Sequence, residues 1–303
     1  MSSFLLFAVE DAGPRALVVP PDAAQFADLY RGLPLGVYDA LRTFGHNKFL
    51  YLSRHLARTE RSMALLGWDY PLDRPRLLRA LHDIVTAAQW PEMRARIDIL
   101  AGPAEALGTR SRELIAIQPF TPPPAGLYEQ GVAVDFAAIP ARSRPLVKAA
   151  AFAAQRPTGA GLAQLENAPR ATTHTNKEEP PAIPYEFLLL DDRRRILEGT
   201  GTNFWAMRDG VVHTAGEGVL EGITREIILQ LIADLGIPLR LEAIAADEID
   251  TLDEAALSGS SRAILPVVEI AGQPIGAGRP GPLGHRILAA YNEFVAAHVM
   301  PAI

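Results

Sequence analysis

Two periods of hydrophobic and polar residues alternate along the first third of the chain. A period of two residues is typical of a strand with one buried face, and a period near 3.6 is typical of an amphipathic helix. The pattern predicts strands at Phe4 to Val9, Gly36 to Phe44, Phe49 to Leu52, Arg94 to Ala101 and Glu113 to Gln118, and helices at Ser53 to Trp68 and at about Asp73 to Trp90. Ser53 is a suitable N-cap for the first helix, because its hydroxyl can accept a hydrogen bond from a first-turn N–H.

The second half of the chain contains clear turn signals between its predicted elements. Asp209-Gly210 separates two short apolar runs, and this dipeptide is a strong indicator of a two-residue β-hairpin. Gly236 follows an amphipathic segment and is suited to end a helix. The pattern predicts strands at Tyr185 to Asp191, Asn203 to Arg208, Val211 to Thr214 and Ile264 to Ile270, and helices at Gly222 to Leu235 and at about Gly284 to His298.

A run of prolines divides the chain. Residues 119–126 have the sequence Pro-Phe-Thr-Pro-Pro-Pro-Ala-Gly, and consecutive prolines continue neither a helix nor a central strand. The sequence therefore predicts an N-terminal α/β domain at 1–121, a linker at 122–127 and a C-terminal domain at 128–303. Because strands and helices mix in both parts, we expect an α/β or α+β architecture. The polar, proline-rich segment Asn167 to Pro184 is predicted to be a surface loop or lid.

Composition excludes several classes of protein. With 49% hydrophobic and 21% charged residues, the 303-residue chain is able to bury a substantial core. Its net charge of −6 disfavours non-specific nucleic-acid binding, which depends on a basic surface. The chain has no cysteine, so disulfides and thiolate chemistry are excluded. Because no apolar run approaches the roughly 20 residues that span a bilayer, and no signal-peptide pattern occurs, we expect a cytoplasmic protein without membrane contact.

Two familiar patterns do not lead to a site. The segment Gly276 to Gly281 matches G-x-G-x-x-G, but the 22 residues that follow it are too few for the second strand and the acidic residue of a dinucleotide-binding unit. The seven histidines include no pair at i, i+4 and no H-E-x-x-H motif, so we expect no metal site. The G-x-S-x-G motif of serine hydrolases and the P-loop motif are absent from the sequence as well.

Four short segments carry groups suited to an anionic ligand and a heteroaromatic ring. Arg58 lies on a predicted helix, and a guanidinium pairs well with a phosphate. Thr224 lies at the start of another predicted helix, where it can act as a cap and where free N–H groups bind anions. The turn Gly259-Ser260-Ser261 offers further donors, and Glu198 ends a short strand-like run. Each segment also has a simpler explanation: a solvated arginine, an ordinary cap, a common loop and a surface charge.

Taken together, these segments resemble the class IV aminotransferases, pyridoxal-phosphate enzymes of fold type IV that include branched-chain aminotransferases, D-amino acid aminotransferases and aminodeoxychorismate lyases. The resemblance runs from Gly36-Val37-Tyr38-Asp39-Ala40-Leu41-Arg42 to Gly281-Pro282-Leu283. It is most specific between Leu188 and Arg225, where E-G-x-x-x-N-F and L-x-G-I-T-R flank the Asp-Gly hairpin. It implies a smaller N-terminal α/β domain, a larger, mixed, barrel-like C-terminal domain, pyridoxal 5'-phosphate bound between the domains, and a homodimer.

The resemblance also implies roles for individual residues. The residues assigned to the cofactor are Arg58, Lys148, Glu198, Asn203, Ile223, Thr224, Gly259 and Ser260, and Thr202 would support the same wall of the site. The residues assigned to the substrate are Tyr38, Arg42, Arg96 and Ser261; Arg42 and Arg96 are candidates for its carboxylate because each lies on a predicted strand, although both are also explained as surface arginines. Arg58, Ile223, Thr224 and Ser260 would hold the phosphate, whereas Glu198 would pair with the protonated pyridine nitrogen. A carboxylate beside that nitrogen keeps it protonated, and the ring then withdraws electrons more strongly.

The chemistry of this family needs a lysine amine, and the chain offers three. Of its 29 basic residues 26 are arginine, and the lysines are Lys48, Lys148 and Lys177. Lys48 belongs to a polar turn and Lys177 to a polar loop with two adjacent acids, whereas apolar and small residues flank Lys148, a setting that lowers an amine pKa. The 36 residues between Lys148 and Tyr185 also leave room for the helix that the family has there. We therefore predict Lys148 as the catalytic lysine that forms a Schiff base, with Lys177 as the alternative.

The reaction implied by the resemblance moves an amino group between an amino acid and a 2-oxo acid. Two positions depart from the branched-chain enzymes of the family: Ala153 stands where they have a tyrosine, and Arg96-Ile97-Asp98 replaces their arginine-proline strand. The choice of substrate therefore stays open. One alternative is a lyase that releases pyruvate from an aminodeoxychorismate-like substrate with the same cofactor. Another is a catalytically silent relative that binds the cofactor or a partner.

Overall fold

The computed structural model describes residues 4–21, 23, 26–30, 32–157, 159 and 183–303. Its strands are β1 (Leu5–Glu10), β2 (Gly13–Leu17), β3 (Val37–Arg42), β4 (Lys48–Leu50), β5 (Met93–Ile99), β6 (Glu113–Pro119), β7 (Val132–Phe136), β8 (Phe187–Leu190), β9 (Ile196–Gly199), β10 (Asn203–Arg208), β11 (Val211–His213), β12 (Leu239–Arg240), β13 (Glu254–Gly259), β14 (Ala263–Ile270), β15 (Gln273–Pro274) and β16 (Val299–Pro301). Its helices are α1 (Leu52–Leu65), α2 (Arg74–Ala87), α3 (Ala125–Gln130), α4 (Ala150–Gln155), α5 (Ile223–Asp234) and α6 (Pro282–His298). The alternative lysine, Lys177, and nearly all of the predicted loop from Asn167 to Pro184 lie outside the described residues.

The chain divides into two compact units. The first unit comprises Met1–Thr121, Val147–Gln155 and Val295–Ile303, and the second comprises Pro122–Leu146 and Arg156–Phe294. The N-terminal segment of the first unit ends at Thr121, and two later segments of the chain belong to the same unit. Helix α3 begins at Ala125. The division into domains at 1–121 and 128–303 with a linker at 122–127 stays a prediction.

The first unit is built on an antiparallel sheet of five strands in the order β2-β1-β6-β5-β3. Alternate residues of β6 enter two separate hydrophobic clusters: Ile115 and Ile117 pack with the residues of α1 and α2, whereas Leu114 and Ala116 pack in a cluster with residues of β1. Successive side chains of a strand point to opposite faces of the sheet, so β6 is buried on both faces. The sheet therefore carries α1 and α2 on one side.

The beginnings of these two helices differ. Asp73 caps α2 by accepting a hydrogen bond of 3.0 Å from the backbone N–H of Arg76, close to the predicted start. The prediction that Ser53 caps α1 is wrong. Helix α1 already begins at Leu52, its N-cap residue is Tyr51 with a φ of 50°, and no side chain caps it.

The second unit contains a mixed sheet in which six strands form a closed circuit. Strands β10, β13, β14, β7, β8 and β9 pair in this order, and β9 pairs with β10 again through Glu198 and Asn203. Parallel pairs of β7 with β14 and with β8 occur together with antiparallel ones. The closure confirms the barrel-like unit, and it places Glu198 directly opposite Asn203.

The hairpin signal in this unit is confirmed. Strands β10 and β11 pair around Asp209 and Gly210, whose φ values of 53° and 73° are the left-handed conformation that a two-residue hairpin requires. The sequence pattern did not predict strands β2, β7 and β13. Within the described ranges, no helix is long and apolar enough to cross a membrane.

Candidate active site

The segment around Lys148 lies against the edge strand β3 of the first unit. The backbone N–H of Tyr38 donates to the carbonyl of Lys148 at 3.0 Å, and Val37 forms an isolated bridge with Ala149. From helix α1, the Ser62 hydroxyl accepts a bond of 3.2 Å from the Lys148 N–H. The backbone of this lysine is thus fixed on two sides, while its side chain is half-buried.

A buried network of charges lies beside Lys148. Asp39 is fully buried; its carboxylate accepts bonds from Arg58 Nε at 3.0 Å and Arg58 Nη2 at 2.8 Å, and it lies 2.8 Å from Nδ1 of His55. Burial opposes ionisation of Asp39, but Arg58, His55 and Lys148 outweigh it and hold the pKa of this carboxyl far below its usual range. The sequence predicted an apolar setting for Lys148; the structure adds this network to its apolar neighbours.

The same network fixes the ionisation of His55. Burial lowers the pKa of the His55 imidazole, and the charge of Arg58 adds to that effect, although Asp39 opposes it. A neutral imidazole donates from Nδ1 to the Asp39 carboxylate. The network therefore contains one anion, one permanent cation and a neutral donor.

Two basic side chains lie near the ring of Tyr38. Nζ of Lys148 is 4.9 Å from the centroid of its ring, and Cζ of Arg96 is 3.8 Å from the same centroid. Arg96 also stacks on Tyr30 at 4.5 Å and pairs with Asp98 through Nε at 2.9 Å. Burial raises the pKa of the Asp98 carboxyl. The structure thus brings the predicted residues Tyr38, Arg96 and Lys148 together.

Arg42 has a different set of contacts. It pairs with Glu92, and its guanidinium stacks on the rings of Phe44 at 4.4 Å and Phe120 at 4.6 Å. These contacts are sufficient to explain why Arg42 lies where it does, as a residue that packs within the first unit. The substrate role of Arg42 stays a prediction and receives no support from this geometry.

Glu198 forms the centre of a second buried cluster, in the second unit. Its side chain is 2% exposed, and Oε1 accepts a bond of 2.8 Å from Nε of Arg142. Oε2 accepts a bond of 3.1 Å from the backbone N–H of Leu220 and one of 3.4 Å from Nδ2 of Asn203. The closing pair of β9 and β10 brings Glu198 and Asn203 together, as the spacing E-G-x-x-x-N-F in the sequence indicates.

The sequence interpretation missed Arg142. This residue lies six positions before Lys148 among several arginines, and no local pattern distinguishes it from them. Its guanidinium also donates through Nη2 to the carbonyl of Thr200 at 3.3 Å. A tertiary contact over 56 residues is what defines its role, so a single sequence offers no signal for it.

The start of α5 adjoins the Glu198 cluster. Nδ2 of Asn203 donates to the carbonyl of Leu220 at 2.9 Å, and a Cβ on Gly222 would collide with Oδ1 of Asn203. Gly222 is the N-cap residue and no side chain caps the helix, so the prediction that Thr224 caps it is wrong. Thr224 is instead the second residue of α5, where backbone N–H groups have no carbonyl partner within the helix.

The small-residue turn lies between β13 and β14. Gly259 pairs with Ala263 across the turn, and Ser260 and Ser261 are half-buried between them. A Cβ added to Gly259 would meet no atom closer than 3.7 Å. Across the described ranges, no group of three histidine, aspartate or glutamate side chains is arranged to hold a metal ion.

The sequence profile of the amino-transferase class IV family matches residues 36–270. Two curated relatives match a shorter part. The chain is 38% identical over 112 residues to the branched-chain-amino-acid aminotransferase of Pseudomonas aeruginosa, which is 37% of this chain and 36% of that protein. It is 30% identical over 105 residues to the D-alanine aminotransferase of Staphylococcus aureus strain N315, which is 34% of this chain and 37% of that protein. The matched segments thus span little more than a third of these relatives.

Solved structures share the fold over almost the whole chain. The T.th. branched-chain amino acid aminotransferase with pyridoxamine 5'-phosphate has a TM-score of 0.72 at 20% identity and covers 99% of this chain and 98% of its own. The branched-chain aminotransferase of Thermoproteus uzoniensis with norvaline has a TM-score of 0.69 at 23% identity and covers 100% and 99%. These likenesses confirm fold type IV. Because the family profile covers most of the chain, this protein belongs to the class IV aminotransferases.

Proposed function

We propose that this chain is a pyridoxal 5'-phosphate-dependent aminotransferase that moves an amino group between an amino acid and a 2-oxo acid. The observation that carries the proposal is the buried carboxylate of Glu198, held on β9 by Arg142, Asn203 and the N–H of Leu220. When bound, the cofactor supplies an aldehyde that condenses with amines and a protonated ring that withdraws electrons from the substrate α-carbon.

The residues of the second unit fit such a group. A buried carboxylate suits a protonated ring nitrogen, since both lose hydration on burial and a charge-assisted hydrogen bond compensates them. The first-turn N–H groups of Ile223 and Thr224 and the hydroxyl of Ser260 are a donor set for a phosphate. Gly222 leaves no room for a Cβ, and this keeps the start of α5 close to Asn203.

Roles are also proposed for three residues of the first unit. Lys148 Nζ would accept the α-proton of the amino acid and return it, as a general base and then a general acid. Its backbone is fixed by Tyr38 and Ser62, so the side chain starts from a defined position. Arg58 is proposed for the phosphate, and Asp39 holds its guanidinium plane. Arg96, stacked between Tyr30 and Tyr38, is proposed for a substrate carboxylate.

A spectroscopic experiment tests the proposal. The purified chain is mixed with pyridoxal 5'-phosphate, and the visible absorbance band of the bound cofactor is recorded for the wild type and for Lys148→Ala, Lys177→Ala and Lys48→Ala. We expect Lys148→Ala to remove the band and to lower transamination at least about 1,000-fold. Lys48→Ala is the matched control and should leave both unchanged. Loss of the band in Lys177→Ala instead would show that the lysine is assigned wrongly.

A substrate panel separates the proposed reaction from its alternatives. Valine, leucine and D-alanine are offered as donors with a 2-oxo acid as acceptor, because the curated relatives are named for branched-chain amino acids and D-alanine. We expect amino transfer with at least one donor. Pyruvate formed from aminodeoxychorismate without an acceptor would favour the lyase, and a bound cofactor without turnover would favour a silent relative. The homodimer and the cytoplasmic location stay predictions, and light scattering on the purified chain measures the first.

A further inference from the structure

A second buried ion pair lies in the same unit as the Glu198–Arg142 pair. Nη1 of Arg262 donates to Oε2 of Glu186 at 2.9 Å, and the two side chains are 3% and 0% exposed. The Thr200 hydroxyl donates to the other carboxylate oxygen of Glu186. Neither Glu186 nor Arg262 has a place in the proposed chemistry.

The Arg262 end of this pair holds the turn formed by residues 259–263. The backbone N–H of Arg262 donates to the carbonyl of Gly259 at 3.1 Å, and the hydroxyl of Tyr128 donates to the carbonyl of Arg262 at 2.9 Å. The turn carries Ser260, which is proposed for the phosphate. Because Arg262 is part of this turn, its ion pair with Glu186 ties the turn to the residue that precedes β8.

The Glu186 end holds the loop formed by residues 199–202. This loop follows Glu198 directly and precedes Asn203. The Thr200 N–H donates to the carbonyl of Phe187, the residue after Glu186, at 2.8 Å, and the Thr200 side chain donates to Glu186 itself. At the start of the loop, a Cβ added to Gly199 would lie 3.1 Å from Cγ of Glu186, so the loop backbone passes close to this side chain.

Stability by itself is a weak reason to keep such a pair. Burying two charges costs desolvation, and a well-packed apolar pair of similar volume is often as stable or more stable. In addition, Nε of Arg262 and the hydroxyl of Tyr185 are buried without a partner among the residues that the structure describes. Unlike an apolar contact, the ion pair makes directional hydrogen bonds, and these bonds connect the 199–202 loop to the 259–263 turn.

We propose that Glu186 and Arg262 are positioning residues that lock the 199–202 loop to the 259–263 turn, and so set the spacing between the Glu198 carboxylate and the Ser260 hydroxyl. This inference rests on the proposed function, since these two groups are the ones assigned to the ring nitrogen and the phosphate of one cofactor. The pair acts through the backbone and touches neither the cofactor nor the substrate.

The test replaces the pair by an apolar one. Glu186→Leu/Arg262→Met removes both charges together, so thermal stability without the cofactor is expected to stay close to that of the wild type. The dissociation constant for pyridoxal 5'-phosphate should rise at least about tenfold, as outer-shell partners of bound groups typically contribute 10–100-fold in affinity. Amide exchange in the 199–203 segment without cofactor should also become at least about tenfold faster. Arg208→Met/Glu248→Leu, at a surface pair of 3.2 Å in the same unit, is the matched control and should change neither quantity.

The outcomes separate this inference from the proposed function. If the wild type binds no pyridoxal 5'-phosphate, the proposed function fails and this inference fails with it. If the wild type binds it and the double variant binds equally well with unchanged amide exchange, this inference alone is overturned. Should the double variant not fold, Arg262→Lys serves instead. It keeps one charged donor for Glu186, so the variant is expected to fold. A raised dissociation constant together with faster amide exchange in the 199–203 segment supports positioning, whereas values equal to those of the wild type contradict it.

Discussion

In each unit a carboxylate of the candidate site is buried beside an arginine, and the two carboxylates are held in different ways. Asp39 of the first unit is gripped by two nitrogens of Arg58 and by the ring of His55, at 2.8 to 3.0 Å. Glu198 of the second unit takes Nε of Arg142 at 2.8 Å, a backbone N–H at 3.1 Å and an amide at 3.4 Å. Asp39 is therefore held mainly by a charged guanidinium, whereas Glu198 is held by one charged donor and two neutral ones.

This difference matches the proposed roles. A carboxylate clamped by a bidentate guanidinium serves best as a fixed charge that orients other groups. Asp39 accordingly orients Arg58 and His55 next to Lys148. A carboxylate whose donors are partly neutral and longer is better able to share its charge with a ligand, since the competing bonds are weaker. Glu198 accordingly suits a ring nitrogen that arrives with the cofactor.

The largest change in the free energy of unfolding is expected when Asp39 is replaced. Asp39→Leu leaves the buried guanidinium of Arg58 without its anion, and the free energy of unfolding should fall by about 3–5 kcal/mol, as for other broken buried pairs. Asp39→Leu/Arg58→Met removes both charges and should recover most of this loss. Urea denaturation measures both variants. A loss below about 1 kcal/mol in the single variant would show that charge does not clamp this site.

A smaller stability effect with a larger activity effect is expected at Glu198. Glu198→Gln keeps an oxygen that can accept a hydrogen bond from Arg142 or from the N–H of Leu220, so the free energy of unfolding should fall by only about 1–3 kcal/mol. Transamination should fall about 100-fold or more, because an amide does not keep a ring nitrogen protonated. Steady-state kinetics at saturating cofactor measures the second quantity. Full activity in this variant would contradict the assignment of Glu198.

The pH dependence of stability sharpens the comparison further. Burial lowers the pKa of His55 from its ordinary value of 6.5, so below about pH 6.5 the unfolded chain binds a proton that the folded chain refuses. The free energy of unfolding is therefore expected to fall as the pH falls through this window, by at most about 1.4 kcal/mol per pH unit.

A variant isolates this contribution. His55→Asn removes the titrating group and should flatten the slope of unfolding free energy between pH 7 and pH 5. Burial also lowers the pKa of His213 in the second unit, so His213→Asn is the matched comparison. We expect a larger change at His55, where the imidazole lies next to Arg58. An unchanged slope in His55→Asn would place its titration outside this window.

The smallest effect is expected at an exposed pair. Arg208 and Glu248 lie 3.2 Å apart with side chains 28% and 45% exposed. Because water screens such a pair, Arg208→Met should change the free energy of unfolding by less than about 0.5 kcal/mol. A larger loss, measured by the same urea denaturation, would contradict the expectation that exposed arginine pairs stabilise this chain less than buried ones.

Local patterns in the sequence predicted most of the elements near the site. The strand with Tyr38, the helix with Arg58, the hairpin at Asp209-Gly210 and the helix that starts at Ile223 all follow from periodicity and turn residues. The cap residues were predicted less well. Ser53 and Thr224 have suitable side chains, but the N-cap positions of α1 and α5 are occupied by Tyr51 and Gly222. Ser53 and Thr224 therefore lie within the first turn of their helices.

The sequence by itself determined the family, the fold type and the candidates Lys148 and Glu198, because these depend on short motifs and on the scarcity of lysine. The tertiary structure decided which arginine each buried carboxylate takes. The sequence singles out Arg58 but gives no partner for it, and it does not distinguish Arg142 and Arg262 from the other arginines. The partners of the three lie 19, 56 and 76 positions away. Burial makes each of these pairs matter, since a charge removed from water needs a partner, and burial arises only when distant segments pack.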